Sequence, residues 1–147
     1  MSDGFKFEGL DTLEKELNQT AKEIKNIPAQ IVKVLSTVRN NILKTTTSGT
    51  DLNGTAFKKY SKMYKKIRTE NSRQASPVSL TWTGNMLRAM KAFKISEGGE
   101  IRFDSTRAND LAVKHNEGKG VPKREFFGLN QKNMDYIEKK LSASITL

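Results

Sequence analysis

The chain's single histidine, His115, opens a crowded stretch, residues 115–130, HNEGKGVPKREFFGLN, which also gathers a proline, two adjacent phenylalanines and three glycines. An imidazole titrates near neutral pH and commonly serves as the base beside a hydroxyl or thiol nucleophile. Here cysteine is absent, and no spacing ties a particular serine or threonine to His115. A solitary histidine at a helix end is then expected to be a hydrogen-bonded structural residue. Metal centres need several converging His, Cys or carboxylate ligands; one histidine and scattered acids do not supply them. Glu97 with Glu100, and Asp104 with Asp110, read as solvated turn residues. Gly118-Lys119-Gly120 lacks the rest of a phosphate-binding Gly-x-x-x-x-Gly-Lys-Ser/Thr loop. The sequence predicts no enzyme, no metal and no cofactor.

Residues 57–68, FKKYSKMYKKIR, suit binding better. Lys58, Lys59, Lys62, Lys65, Lys66 and Arg68 can neutralise phosphates while Phe57, Tyr60 and Tyr64 stack on unpaired bases. The alternative is that the aromatic residues anchor a loop to the core and the lysines are simply solvated. Overall charge agrees with an anionic partner: 26 Lys and Arg stand against 16 Asp and Glu, a formal net charge of +10. Such a balance attracts nucleic acid, anionic membrane or acidic protein without choosing among them.

The elements that must position these residues belong to a chain of 147 residues, enough for one domain that buries roughly two thirds of its unfolded surface. Hydrophobic residues are 35% and charged residues 29%, a lean core that a neighbouring molecule can complete. The start, MSDGFKFEGLDTL, lacks a basic segment followed by an apolar one, and no apolar run approaches the roughly 18 residues that span a bilayer. The expectation is a soluble protein without membrane contact that stays where it is made.

Apolar residues at Leu10, Leu13, Leu17, Ala21, Ile24, Ile31, Leu35, Val38 and Ile42 recur at helical steps. Pro28 divides this run into helices over 11–26 and 28–45. Residues 46–79 read as a mobile basic loop with at most a short helix. Beyond it, VSLTWTG reads as a short strand and NMLRAMKAF as a helix capped by Asn85. Arms at 92–96 and 100–104 form a hairpin around Gly98-Gly99. A short helix ends at Gly118, residues 121–127 form an extended arm, and a last helix is capped by Asn130 and carries Met134, Ile137, Leu141 and Ile145. The class is α+β: a long N-terminal helical region (10–45), then an α+β core (80–147) with a small antiparallel sheet, flanking helices and a C-terminal helix.

Four pieces occur in order: DLNGTAFKKYS at 51–61, LTWTGNML at 80–87, AVKHNEG at 112–118 and VPKREFFGL at 121–129. Their order and spacing resemble the virion morphogenesis, or tail-completion, family of tailed phages and prophages. That family shows a glycine-aromatic segment, a Leu-x-x-Thr-Gly turn, a hairpin, an Ala-x-x-His-x-x-Gly segment and a Pro-x-Arg-x-Phe motif before the last helix. Phe57 stands where the family often has tryptophan, and the polar stretch 69–76 departs from its pattern.

The resemblance singles out Gly54, Phe57, Trp82, Gly84, His115, Gly118, Pro122, Arg124 and Phe126 as an assembly motif. It implies a non-enzymatic structural protein that completes the tail or joins head to tail as a homo-oligomeric ring. Its partners would be phage connector, neck and tail-tube proteins, and its place the virion, after assembly in the bacterial cytoplasm. Ring contacts are head-to-tail, so each subunit needs two unlike surfaces; the N-terminal helices or residues 53–68 are expected to form one and the sheet edge the other. Lys58, Lys59, Lys62, Lys65, Lys66 and Arg68 would then lie near passing DNA, where charge acts and sequence does not. The rival is a free-standing nucleic-acid-binding protein without sequence preference. Within the arm, Arg124 is expected to make a fixed ion pair or backbone contact. Phe126 and Phe127 are expected to point to opposite sides, one into the core and one toward a neighbour.

Overall fold

The computed structural model describes residues 27–96 and 98–145; the expected helix over 11–26 lies outside them. Helix α1, Ile27–Thr47, turns Ile31, Val34, Leu35, Val38 and Ile42 into the core, as their spacing requires. Pro28 falls in its first turn, where a missing N–H leaves no bond unmade.

Strands β1, Met90–Ile95, and β2, Gly98–Phe103, form an antiparallel hairpin that pairs Met90 with Phe103 and Ile95 with Gly98. The turn comes earlier than expected, because Gly98 and Gly99 lie inside β2. Gly99 answers a different need: a Cβ there would stand 2.6 Å from Ile31 Cγ2 and 2.7 Å from Leu35 Cδ1. The helix therefore approaches the sheet at a position only glycine leaves open. Farther along α1, Arg39 Nε donates to the Met90 carbonyl at 2.7 Å. The helix thus runs from the turn end of the hairpin to its open end. Helix α5, Gln131–Ile145, lies beside α1 and buries Ile137 and Leu141.

On the other face of the hairpin, Arg102 pairs with Glu100 at 2.5 Å and lies 3.8 Å from the centre of the Phe93 ring. Glu100 is buried, which corrects its reading as a solvated turn residue; Glu97 lies outside the described residues. Asp104 and Asp110 are exposed, with Asp104 paired to Lys91 at 2.5 Å.

Three helices gather at the open end of the hairpin. Helix α2, Lys62–Glu70, starts where Ser61 Oγ accepts the Tyr64 N–H at 3.2 Å, and is the short helix expected within 46–79. The expected strand after Pro77 does not form: Leu80 (φ 55°) and Gly84 (φ 82°) adopt left-handed backbone, which breaks an extended run. Asn85 is the first residue of α3, Asn85–Arg88, rather than its cap, and the helix stops after one turn because the chain enters β1 at Met90. Helix α4, Thr106–Glu117, is capped by Ser105 Oγ and ends at Gly118 (φ 74°), as predicted. There a Cβ would meet the Lys123 backbone at 3.1–3.2 Å, so both the turn and the close arm call for glycine. Residues 121–127, the expected extended arm, form no strand among the described residues and bend at Val121 and Phe127, and Asn130 Oδ1 accepts the Asn133 N–H at 2.8 Å to start α5. Helices with a two-stranded antiparallel sheet give an α+β architecture.

Candidate functional site

The four pieces of the motif meet at the open end of the hairpin, held largely by side-chain bonds to backbone. Arg124 is buried; its Nε donates to the Lys58 carbonyl at 2.8 Å and Nη2 to that of Lys59 at 3.4 Å. It makes the expected backbone contact, and ties the arm to the segment after Phe57, itself buried. Leu52 N–H donates to the Glu125 carbonyl at 3.0 Å, and Asp51 Oδ1 accepts the N–H groups of Asn53 and Thr55 around Gly54. The Arg124 N–H donates to the His115 carbonyl at 2.7 Å.

Asn116, next to His115, completes this clasp. Its Oδ1 accepts the N–H groups of Phe126 and Phe127, each at 3.0 Å, while Nδ2 donates to the Phe127 carbonyl at 2.7 Å. Both phenylalanines are buried, with ring centres 6.3 and 5.0 Å from that of Phe103. The expectation that one of them faces a neighbour is corrected: the arm is not a paired strand, so the two-residue alternation of faces does not apply. Asn116 fixes the register of the arm.

In front of the clasp lies an open groove of about 610 Å³, lined among others by Tyr60, Tyr64, Trp82, Met86, Leu111 and His115. Its wall is built around Arg68, which is 2% exposed. The Arg68 guanidinium lies 4.7, 5.6 and 5.7 Å from the ring centres of Tyr60, Tyr64 and Trp82. Its Nε donates to the Gln74 carbonyl at 2.5 Å and its Nη2 to that of Thr81. Arg68 therefore does not face DNA as expected. Placed one turn after Tyr64 on α2, it turns inward and ties the helix to the loop that carries Trp82. Trp82 itself stacks on Tyr64, ring centres 6.4 Å apart, and remains 38% exposed.

His115 lines this groove, with Nδ1 buried and without a hydrogen-bond partner among the described residues. Burial, then the nearby Arg124 charge, hold its imidazole below the ordinary histidine range, so the neutral form is favoured. Burial likewise raises the Tyr60 phenol, against the opposing pull of Arg68 and a Leu80 backbone hydrogen bond. Burial also lowers Arg124, opposed by Tyr60 and Tyr64. A neutral histidine beside Arg124 suits packing, and the hydrogen bond expected of a structural histidine is not made at Nδ1 within the described residues.

The lysines part company with Arg68. Lys58, Lys59, Lys62 and Lys66 are exposed and Lys65 is half-buried, so a cationic edge does flank the groove. Beside it α2 presents Met63, 74% exposed, and Ile67, 41% exposed, one turn apart. With Tyr64 and Trp82 they form an apolar face that no described residue covers. Sequence reasoning missed Met63, Ile67 and Leu111 as surface residues and Asn116 and Arg68 as internal ties. The periodicity of α2 held the signal for Arg68, since it shares a face with Tyr64.

Among the described residues, no group of three or more His, Cys, Asp and Glu is placed to hold a metal ion, and no helix is long and apolar enough to cross a membrane. Comparison with protein-family models, curated proteins and solved structures found no match.

Proposed function

We propose that this chain is a non-enzymatic structural subunit of a tailed-phage particle, which completes the tail or joins head to tail as one member of a ring. The observation that carries this reading is the apolar face of Met63, Ile67, Tyr64 and Trp82, exposed among the described residues, with the exposed Lys58, Lys59, Lys62 and Lys66 near it in the chain. Exposed apolar side chains grouped beside a polar rim mark a surface that another protein covers. The cationic edge would meet the phosphates of DNA in the tail passage without reading sequence. Further support comes from the motif residues, which interlock as a scaffold: Phe57, Arg124 and Phe126 are buried, and His115 is hemmed in by the arm. These roles suit a subunit shaped for assembly.

The lysine edge also favours a second reading, a free-standing nucleic-acid-binding protein. Light scattering after size-exclusion chromatography, at low and high salt, with and without short duplex DNA, separates the two. A ring subunit should self-associate weakly alone and form rings on tail tubes or connectors, visible by electron microscopy. A monomer that ignores such particles but binds duplex DNA tightly, with a steep salt dependence, would replace this reading with the second.

A further inference from the structure

The aromatic groove carries Arg68 and Arg107 on its lining and, among the described residues, no acidic one, with the Arg73 guanidinium 5.5 Å from the centre of the Trp82 ring. Its occupant should therefore combine apolar side chains with negative charge. The chain itself contains such a segment outside the described residues. Residues 1–19 carry Asp3, Glu8, Asp11, Glu14 and Glu16 against only Lys6 and Lys15, net −3 in a chain of net charge +10. Interspersed are Phe5, Phe7, Leu10, Leu13 and Leu17.

Position decides between the same copy and another. Helix α1 starts at the turn end of the hairpin, where Ile31 meets Gly99, whereas the groove lies at the open end, between α2, α3 and α4. To fill its own groove the segment would have to double back along α1, a helix of about 30 Å. For the groove of a neighbour lying head-to-tail, no reversal is needed. We propose that residues 3–17 of one copy dock in the groove of the next, their leucines and phenylalanines against Tyr64, Trp82 and Leu111 and their carboxylates toward Arg107 and the lysine edge. The proposal rests on the subunit reading above, since a ring needs two unlike surfaces, and the acidic segment and the groove would be two such surfaces.

Trp82, the only tryptophan, reports directly on the groove, and residues 1–19 contain none. The test uses the full chain and a variant with Asp3→Asn, Glu8→Gln, Asp11→Asn, Glu14→Gln and Glu16→Gln, changes that leave the groove untouched. Mass by light scattering and Trp82 emission are followed against concentration, with a synthetic peptide of residues 1–19 as competitor. The full chain should gain mass and shift its Trp82 emission together as concentration rises. The variant should need at least tenfold more protein for the same change, as should full chain carrying Arg107→Glu. The peptide should shift Trp82 emission and lower the mass.

The docking is overturned if the variant behaves as the parent does, or if the peptide leaves Trp82 unchanged. It is also overturned if a concentration-independent monomer alters its Trp82 emission when the acids are removed, for then the segment fills its own groove. Rings that still form on tail particles from the amide variant reject the docking and leave the subunit reading intact. Peptide binding by a chain that never assembles on tails rejects the subunit reading and keeps the groove's occupant.

Discussion

Asn116 and Phe127 are joined as two strand residues would be: the side-chain oxygen accepts the Phe127 N–H at 3.0 Å and the side-chain nitrogen donates to its carbonyl at 2.7 Å. The same oxygen takes the Phe126 N–H, so one side chain replaces a missing strand partner for the arm. Asn116→Ala should lower stability by about 3 kcal/mol, because each buried polar group left without a partner costs about 1–3 kcal/mol. Asn116→Asp, which keeps both acceptor bonds but sets a carboxylate oxygen against the Phe127 carbonyl, should also be less stable than the parent. Urea denaturation with unchanged m-values checks both losses; equal, small effects would show that the arm holds its place without the amide.

Arg124 and Lys123 are neighbours with opposite fates. Arg124→Ala would strand two backbone carbonyls, those of Lys58 and Lys59, and should cost about 2 kcal/mol. Lys123 is exposed, 3.8 Å from an exposed Glu125 carboxylate, and its replacement by Ala should change stability by less than about 0.5 kcal/mol. Phe126→Ala opens the cluster around Phe103 and should cost about 3–5 kcal/mol. An unchanged melting temperature for Phe126→Ala would place that ring outside the core.

His115 should make stability sensitive to mild acid. Its folded pKa is held below the unfolded value, about 6.5, so the unfolded chain takes up the proton first as pH falls. The stabilisation is present in full above about pH 6.5 and is lost as pH drops from there toward the lower folded pKa. His115→Gln, which keeps a polar side chain that does not titrate, should flatten the stability profile between about pH 7 and pH 5. Thermal melts across that range check it; identical slopes for the two proteins would contradict the burial argument.

For the cationic edge, Lys58, Lys59, Lys62 and Lys66 replaced together by Gln should weaken binding to short duplex DNA. The slope of log K against log salt should fall by about 0.9 for each phosphate that is no longer neutralised. Stability should hardly move, since these side chains are exposed and the Lys66–Glu70 pair, 3.9 Å apart, is solvated on both sides. An unchanged salt slope would take DNA away from this edge.

Where one period governed a segment, the sequence was readable. Steps of three and four located α1 and the buried Ile137 and Leu141 of α5, and small polar residues marked the helix start at Asn130 and the stop at Gly118. Arg124 was readable as a fixed contact because a guanidinium beside large apolar residues must have its donors satisfied, although the alternation of sides expected of the arm does not hold. Tertiary packing overrode local pattern elsewhere. Gly98-Gly99 resembles a turn, yet Gly99 serves the approach of α1. The alternation in VSLTWTG was undone by left-handed backbone at Leu80, which no local propensity announces. Arg68 looked like one cation among six because its aromatic neighbours Tyr60 and Trp82 come from outside α2, and only Tyr64 shares its helix.

Tyr60 has two permanent cations against its ring, Arg68 at 4.7 Å and Arg124 at 5.0 Å from the ring centre. One guanidinium anchors the loop that carries Trp82; the other anchors the arm that carries both phenylalanines. Each arginine is seated partly by a ring the other also uses, so replacing both by Met should give a stability change unequal to the sum of the single changes. With Tyr60→Leu as the background, that inequality should shrink. In mechanical terms the phenol is a shared bearing, set between the arginine that holds the Trp82 loop and the arginine that holds the arm.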